Sequence, residues 1–319
     1  MDKIRVGVVG VGSMGLNHIR VYRALHDRCE LAGVFDADTA RCQAVAAAHK
    51  LRAFDSLEAL LGAVDAVSVV VPTVHHEAVT LRALERGVHT LVEKPIADTP
   101  AAGLRMAQAA WNAHVTLQVG HVERFNPVVQ LMPDILQGKT VLAMDFRRLS
   151  PYDPRIADVD VVQDLMIHDI DVLRHLLPGS PARVQAMGCS PRSGNRVDHA
   201  VALLDINGVP VTLTASRVTE QKVRLLCVTT DQAYIVMNYL ERKIGISRVT
   251  HSGFSSTPQA GYRQEGIVEK VLVPNVEPLR EELSHFLDCA RDGSSPLVGG
   301  DDGVEALRIA ERIRAEIYH

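Results

Sequence analysis

Two clusters in the 319-residue chain have the residue types and spacing to do chemistry. The first is Gly10-Val11-Gly12-Ser13-Met14-Gly15, between an apolar run at Ile4–Val9 and an amphipathic stretch at Met14–Leu25. At a strand-to-helix junction the first glycine permits a tight turn, the second lets backbone approach a pyrophosphate, and the third lets helix and strand pack closely. Ser13 and Met14 open the helix, whose free N–H groups and dipole favour phosphate. A plain strand–helix turn would also satisfy this motif, and Asp36 decides for a dinucleotide. It lies 21 residues after Gly15, where a carboxylate accepts from a ribose 2′-hydroxyl and repels a 2′-phosphate. NAD is therefore favoured over NADP. Asp38 is a fallback for the same role, Arg41 keeps NADP as the second choice, and a turn-forming Asp is the plain alternative.

The second cluster is the stretch Asp164–Leu173, apolar nearly all round as a buried helix should be. Asp164, His168, Asp171 and His175 nevertheless fall at i, i+4, i+7 and i+11, on one stripe. A polar stripe on a buried helix costs free energy unless it is paired or lines a wet cleft. Asp164, one turn before His168, can orient its ring and raise its basicity, which makes His168 a general base. Two other readings stay open: Asp164 as a carboxylate serving the helix start, and the stripe as a solvent face. A metal site is disfavoured, because no further Cys or His cluster supports one.

These clusters need elements to hold them. Apolar runs at Ile4–Val9, Leu31–Phe35, Ala66–Val71, Val88–Val92 and Val115–Val119 alternate with amphipathic stretches at Met14–Leu25, Thr39–His49, His76–Glu85 and Pro100–Ala110. Strict alternation of this kind predicts a doubly wound parallel sheet. Polar motifs follow three of the strands: Pro72-Thr73 with His76, Glu93-Lys94-Pro95, and Gly120-His121. Ligands gather beyond the carboxyl ends of such strands. After Gly120 the pattern changes. Helices are expected at Val128–Gln137 and Val161–Leu177, flanking a strand at Val141–Arg147. Strands are expected at Arg183–Cys189, Asp198–Ile206, Val211–Arg217, Arg224–Thr229, Ala233–Asn238 and Ile244–Val249. Asn207-Gly208 marks a hairpin. His251–Gly266 reads as a loop, either for substrate or as a surface excursion. Helices at Pro278–Arg291 and Gly303–Tyr318 close the chain. The expectation is an α/β protein with two domains, 1–120 on a doubly wound parallel sheet and 121–319 an α+β domain on a large, mostly antiparallel open sheet. A sheet apolar on both faces needs a second cover, so a homo-oligomer through that sheet is expected.

Composition narrows the classes. With 34 Lys and Arg against 38 Asp and Glu, the net charge of −4 gives no basic stripe for nucleic acid. Five scattered cysteines form no CxxC pair, which disfavours a disulfide framework or structural zinc. The N-terminal residues lack a signal-peptide pattern, and no apolar run reaches the roughly 18 residues of a membrane span. A cytoplasmic protein with no membrane partner is expected.

The chain resembles the Gfo/Idh/MocA family of glucose–fructose oxidoreductases, inositol dehydrogenases and rhizopine-catabolism proteins. The matching residues are GVGSMG at 10–15, Pro72 to His76, Ala83 to Gly87 leading into Glu93-Lys94-Pro95, and DLMIHDID at 164–171. The resemblance covers essentially the whole length and implies an N-terminal Rossmann domain, a C-terminal open sheet and oxidation or reduction of sugar and polyol hydroxyls. It implies that Lys94 is the catalytic lysine and that Asp164 and His168 are the acid–base pair. Gly120-His121-Val122-Glu123-Arg124-Phe125-Asn126-Pro127 adds a narrower resemblance, to the branch that oxidises the 3-hydroxyl of UDP-N-acetylglucosamine for 2,3-diamino sugars of the lipid A type.

The residue types suit that chemistry. Oxidising an alcohol requires a base for the hydroxyl proton and a cation for the developing alkoxide. His168 would be the base, Asp164 would tune it, and Lys94, one of seven lysines, would be the cation. The cofactor would lie against Gly10, Gly12, Ser13, Met14, Gly15, Asp36, Pro72, Thr73, His76, Glu93 and Lys94. Substrate would meet Lys94, His121, Arg124, Asn126, Asp164, His168 and Arg263, the arginines presenting a planar fork to a diphosphate. Two plainer readings stay open here: Asn126 as a helix cap before Pro127, and His76 as a helix N-terminal residue near Glu77. A free polyol or hexose is the alternative substrate, and a non-catalytic dinucleotide-binding regulator is the alternative function.

Overall fold

A computed structural model describes residues 3–153, 159–254 and 262–319, with the side chains at 250–254 and 262–265 excepted. The chain divides into two compact units, Met1–Phe125 with Val276–Arg308 and Asn126–Asn275 with Ile309–His319. A single break near Gly120 does not describe this division, because the chain returns to the first unit near its end.

The first unit is built on β1 (Ile4–Val9), β2 (Cys29–Phe35), β3 (Ala66–Val69), β4 (His89–Glu93) and β5 (Leu117–Gly120). All pair in parallel, in the order β2-β1-β3-β4-β5. The order reverses between β1 and β3, which is where such sheets open a crevice at their carboxyl ends. The helices are α1 (Ser13–Ala24), α2 (Thr39–His49), α3 (Leu57–Leu61), α4 (His76–Glu85) and α5 (Pro100–Ala113). Their starts follow local chemistry: Asp38, Ser56 and Thr99 accept the N–H of Arg41, Ala59 and Ala102 at 3.0, 3.1 and 3.2 Å. Pro100 occupies the first turn of α5. α3 was not expected: five residues are too short for periodicity to reveal.

α8 (Pro278–Asp292) completes this unit. Its Leu283, Phe286 and Leu287 are fully buried with Val6, Val8, Ile19 and Tyr22 of β1 and α1. Arg28 reaches back from the α1–β2 turn to Ser284 and Asp288.

The second unit carries an eight-stranded sheet of β6 (Val141–Leu149), β7 (Arg183–Cys189), β8 (His199–Ile206), β9 (Val209–Ser216), β10 (Val223–Thr230), β11 (Tyr234–Asn238), β12 (Lys243–Phe254) and β13 (Tyr262–Val271). The order is β13-β12-β11-β10-β6-β9-β8-β7, antiparallel throughout except for the parallel pair β6/β9. Asn207 and Gly208 take positive φ and turn β8 into β9, as the dipeptide predicts. One face is buried, with Ala200, Ala202 and Leu204 on β8 beside Val211, Leu213 and Ala215 on β9. The helices of this unit are α6 (Pro127–Leu136), α7 (Ile167–Leu176) and the end of α9 (Gly300–Tyr318).

Two expectations fail here. His251–Gly266 is not one long loop. β12 runs on to Phe254 and β13 begins at Tyr262, with Phe254 opposite Tyr262. β13 is an edge strand rich in polar residues, so no apolar run announces it. Nor is Val161–Leu177 one α-helix: Val162–Met166 form a π-helical turn that passes into α7. No helix among the described residues is long and apolar enough to cross a membrane.

Candidate active site and family

The nucleotide-binding features of the first unit follow directly from its glycines. Gly10 follows β1 at φ +93° and donates its N–H to Phe35 O at 2.8 Å. A Cβ on Gly10 would lie well inside van der Waals contact with Val70 O, and one on Gly15 would overlap Gly10 O. Gly12 differs: no heavy atom lies within 4 Å of its Cβ position. It is also the N-cap of α1, where no side chain caps the helix, so the first N–H groups of α1 are left for a ligand.

A groove of about 780 Å³ opens at this turn, lined by Gly10, Gly12, Ser13, Met14, Asp36, Arg41, Pro72 and His75. Asp36 follows β2 and is buried. Its carboxylate accepts from Val11 N at 2.8 Å, Asp38 N at 2.9 Å, and Arg41 Nη2 and Nε at 2.7 and 3.3 Å. Burial pushes this carboxyl up, but Arg41 and the two backbone N–H groups outweigh burial and hold it below its usual range. An ionised carboxylate, an open glycine and an uncapped helix start together fit a dinucleotide.

Four other cofactor candidates are placed differently. Thr73 is half-buried on a 3₁₀ turn, Thr73–His75, and does not line the groove. His76 opens α4 and is 1% exposed, with Nδ1 and Nε2 each 2.9 Å from a carbonyl oxygen, of Pro95 and Val71. Burial lowers its pKa, and its polar atoms are committed to backbone. His75, next to it on the 3₁₀ turn, is the histidine that lines the groove, a choice that the dipeptide does not reveal. Glu93 is buried at the end of β4, bonded to His18 Nε2 at 3.1 Å and to Lys94 N at 3.2 Å. Burial raises its pKa, but His18 and the Lys94 charge outweigh this and keep it ionised. Lys94 is half-buried, joined to Pro95 by a cis peptide bond. His121 and Arg124 follow β5 and are 1% and 4% exposed. Arg124 Nη2 lies 3.7 Å from Asp302, so its fork is turned to a carboxylate.

In the second unit Asp164 sits in the π-turn and His168 in the first turn of α7, both half-buried. The regular i, i+4 stripe therefore begins only after Asp164, because a π-turn has i→i+5 bonds. The turn is held by residues far away in the chain. Asp160 accepts Val162 N and Gln163 N at 3.0 and 3.1 Å, and Arg314 Nε donates to its other oxygen at 2.6 Å. Asp169 is buried and takes both Nε and Nη2 of Arg148 on β6, at 3.0 and 2.8 Å. Both anchors went unread in the sequence. Asn126 caps α6, accepting Val128 N at 3.3 Å, the plainer of its two readings. Arg263 lies on β13, and its side chain is outside the described residues. Among the described residues no three His, Cys, Asp or Glu side chains gather where they could hold a metal ion.

Comparison with known proteins gives these features a family. Residues 4–121 match the model of an oxidoreductase family with an NAD-binding Rossmann fold, and residues 143–236 match the GFO/IDH/MocA C-terminal domain. The chain is similar to UDP-N-acetylglucosamine 3-dehydrogenase of Acidithiobacillus ferrooxidans, 33% identical over 99% of this chain and 98% of that one. A solved structure of that enzyme superposes with a TM-score of 0.88 at 32% identity, covering 100% of this chain and 99% of the other. Inositol 2-dehydrogenase 2 of Saccharopolyspora erythraea is also 33% identical, but over only 54% of each chain. On the match of both domain models and of a relative along its whole length, the chain belongs to the Gfo/Idh/MocA family of oxidoreductases.

Proposed function

We propose that the protein oxidises the 3-hydroxyl of UDP-N-acetylglucosamine to a ketone, with NAD as the partner, in a route to 2,3-diamino sugars. The carrying observation is similarity along the whole length of the chain to an enzyme named for that reaction. The inositol 2-dehydrogenase with the same identity matches about half the chain.

In this reading a ring nitrogen of His168 takes the hydroxyl proton, Asp164 orients that ring, and the Lys94 ammonium steadies the developing alkoxide. The nicotinamide dinucleotide, when bound, supplies the hydride acceptor. The open backbone at Gly12 and the first turn of α1 hold its phosphates, and Asp36 receives its ribose. The charge on Asp36 supports NAD over NADP, because a 2′-phosphate would face a carboxylate held ionised. His121, Arg124 and Arg263 remain proposed substrate contacts, Arg124 on condition that it leaves Asp302. We also place the enzyme in the cytoplasm as a homo-oligomer. Met187, Val201, Leu203, Tyr234 and Val268, all exposed on one face of the eight-stranded sheet, support the second point.

The test is NADH formation with UDP-N-acetylglucosamine, with myo-inositol and with NADP in place of NAD. Turnover of the nucleotide sugar with NAD is expected. Turnover of inositol alone sinks the substrate assignment, and equal rates with NADP sink the role of Asp36.

A further inference from the structure

His18 lies on α1 with its side chain wholly buried, and no step of the proposed reaction uses it. Its Nε2 is 3.1 Å from Glu93 Oε1, and a carboxylate offers only acceptors, so Nε2 is the donor. The other oxygen of the same carboxylate accepts the backbone N–H of Lys94 at 3.2 Å. Glu93 thus joins α1 to the lysine residue itself. The carboxylate is confined from the opposite side too: a Cβ on Gly120 of β5 would lie 3.1 Å from Glu93 Cδ. The His18 ring is fixed in turn by the edge of Tyr22, whose hydroxyl is bonded to Ser68 Oγ at 2.7 Å.

His18 Nδ1 is buried with no hydrogen-bond partner among the described residues. An unsatisfied buried nitrogen costs free energy that an apolar side chain of similar size would avoid. What the histidine supplies in return is the placement of Glu93. We infer that His18 is a positioning residue for the reaction: through Glu93 it fixes where the Lys94 backbone sits, and so the line along which the ammonium reaches the substrate oxygen. No proton moves through the pair. The inference rests on the proposal that Lys94 steadies the alkoxide.

Its test uses the full-length enzyme with NAD and UDP-N-acetylglucosamine. Misplacing a reacting group by about 1 Å costs up to about 100-fold in rate. His18→Leu should therefore lower kcat by roughly 10–100-fold, leave KM and NAD affinity nearly unchanged, and lower Tm, because the buried Glu93 carboxylate loses its donor. His18→Gln, which keeps an N–H donor near the Nε2 position, should recover most of kcat. In a Glu93→Ala background His18→Leu should cost almost nothing more, because the group it acts through is absent. If Lys94→Ala abolishes turnover while His18→Leu matches the parent, the positioning role is wrong and the proposed function stands. A kcat loss that His18→Gln does not rescue, although it restores Tm, also overturns the role. If Lys94→Ala itself turns over at the parent rate, the reading of Lys94 fails first.

Discussion

The phosphate turn of the first unit and the π-turn of the second hold their groups by opposite means. At Gly10–Gly15 the geometry is written in backbone: a positive φ at Gly10, close approach at Gly15 and open space at Gly12. At Val162–Met166 it is written in charged side chains brought from far along the chain, Asp160 with Arg314 and Asp169 with Arg148. The first device tolerates no side chain at Gly10 or Gly15 but needs no partner. The second depends on pairs, each of which leaves a buried charge if half of it is removed.

That contrast can be broken at four points. The largest effect is expected at the proposed base. His168→Ala should lower kcat by about 10²–10⁴-fold while NAD binding stays intact, since the phosphate turn lies on other elements. Loss of NAD affinity in this variant would show that the two devices are not separable. Next is Arg148→Met, which leaves Asp169 buried without its bidentate partner and should cost about 3–5 kcal/mol in denaturant unfolding. Adding Asp169→Leu should recover most of that loss, and failure to do so would mean that the pair is not what anchors α7. Gly10→Ala follows, at about 1–3 kcal/mol from backbone strain alone, together with loss of NAD binding by calorimetry. A Gly10→Ala protein that binds NAD normally would remove the backbone half of the comparison.

The smallest effect is a matter of pH. Asp198 accepts from Arg217 Nε, Ser193 Oγ and the N–H groups of Arg192 and Ser193. Burial pushes its carboxyl up, but these donors outweigh burial and hold it at about 2. A depressed carboxyl stabilises the fold above its unfolded pKa of about 4, and that contribution is lost as the pH falls towards 2, about 2 kcal/mol in all. The stability gap between the parent and Asp198→Asn should therefore close between pH 5 and pH 2. A gap that stays constant over that range would show that the carboxylate's charge is not what stabilises this loop.

The same contrast explains what the sequence made legible. The glycine turn, the cap at Asn126 and the Asn207-Gly208 hairpin are local: neighbouring residues carry the whole signal. The strand alternation of the first unit was readable too, because its strands are buried on both faces. Asp160, Asp169 and His18 were silent, because their partners lie 154, 21 and 75 residues away and no periodicity links them. β13 was silent because an edge strand has no need of an apolar run. The π-turn was silent because DLMIHDID fits an α-helix equally well, and only the packing decides its pitch. The motifs of Arg124 and His76 carried their residue types but not their burial, 4% and 1% exposed: solvent exposure is a property of the fold, not of the motif.

The return of α8 to the first unit has a consequence for how the protein is made. Leu283, Phe286 and Leu287 complete the apolar interior around Val6, Val8, Ile19 and Tyr22. They leave the ribosome only after residues 126–275 of the second unit have been synthesised. Domains usually fold in the order in which they emerge, but here the nascent N-terminal segment must wait with an incomplete interior. A chain cut after residue 120 would carry every glycine of the phosphate turn and still lack the wall against which α1 settles. Nonsense or frameshift products of this chain should therefore be proteolysed rather than persist as free nucleotide-binding fragments.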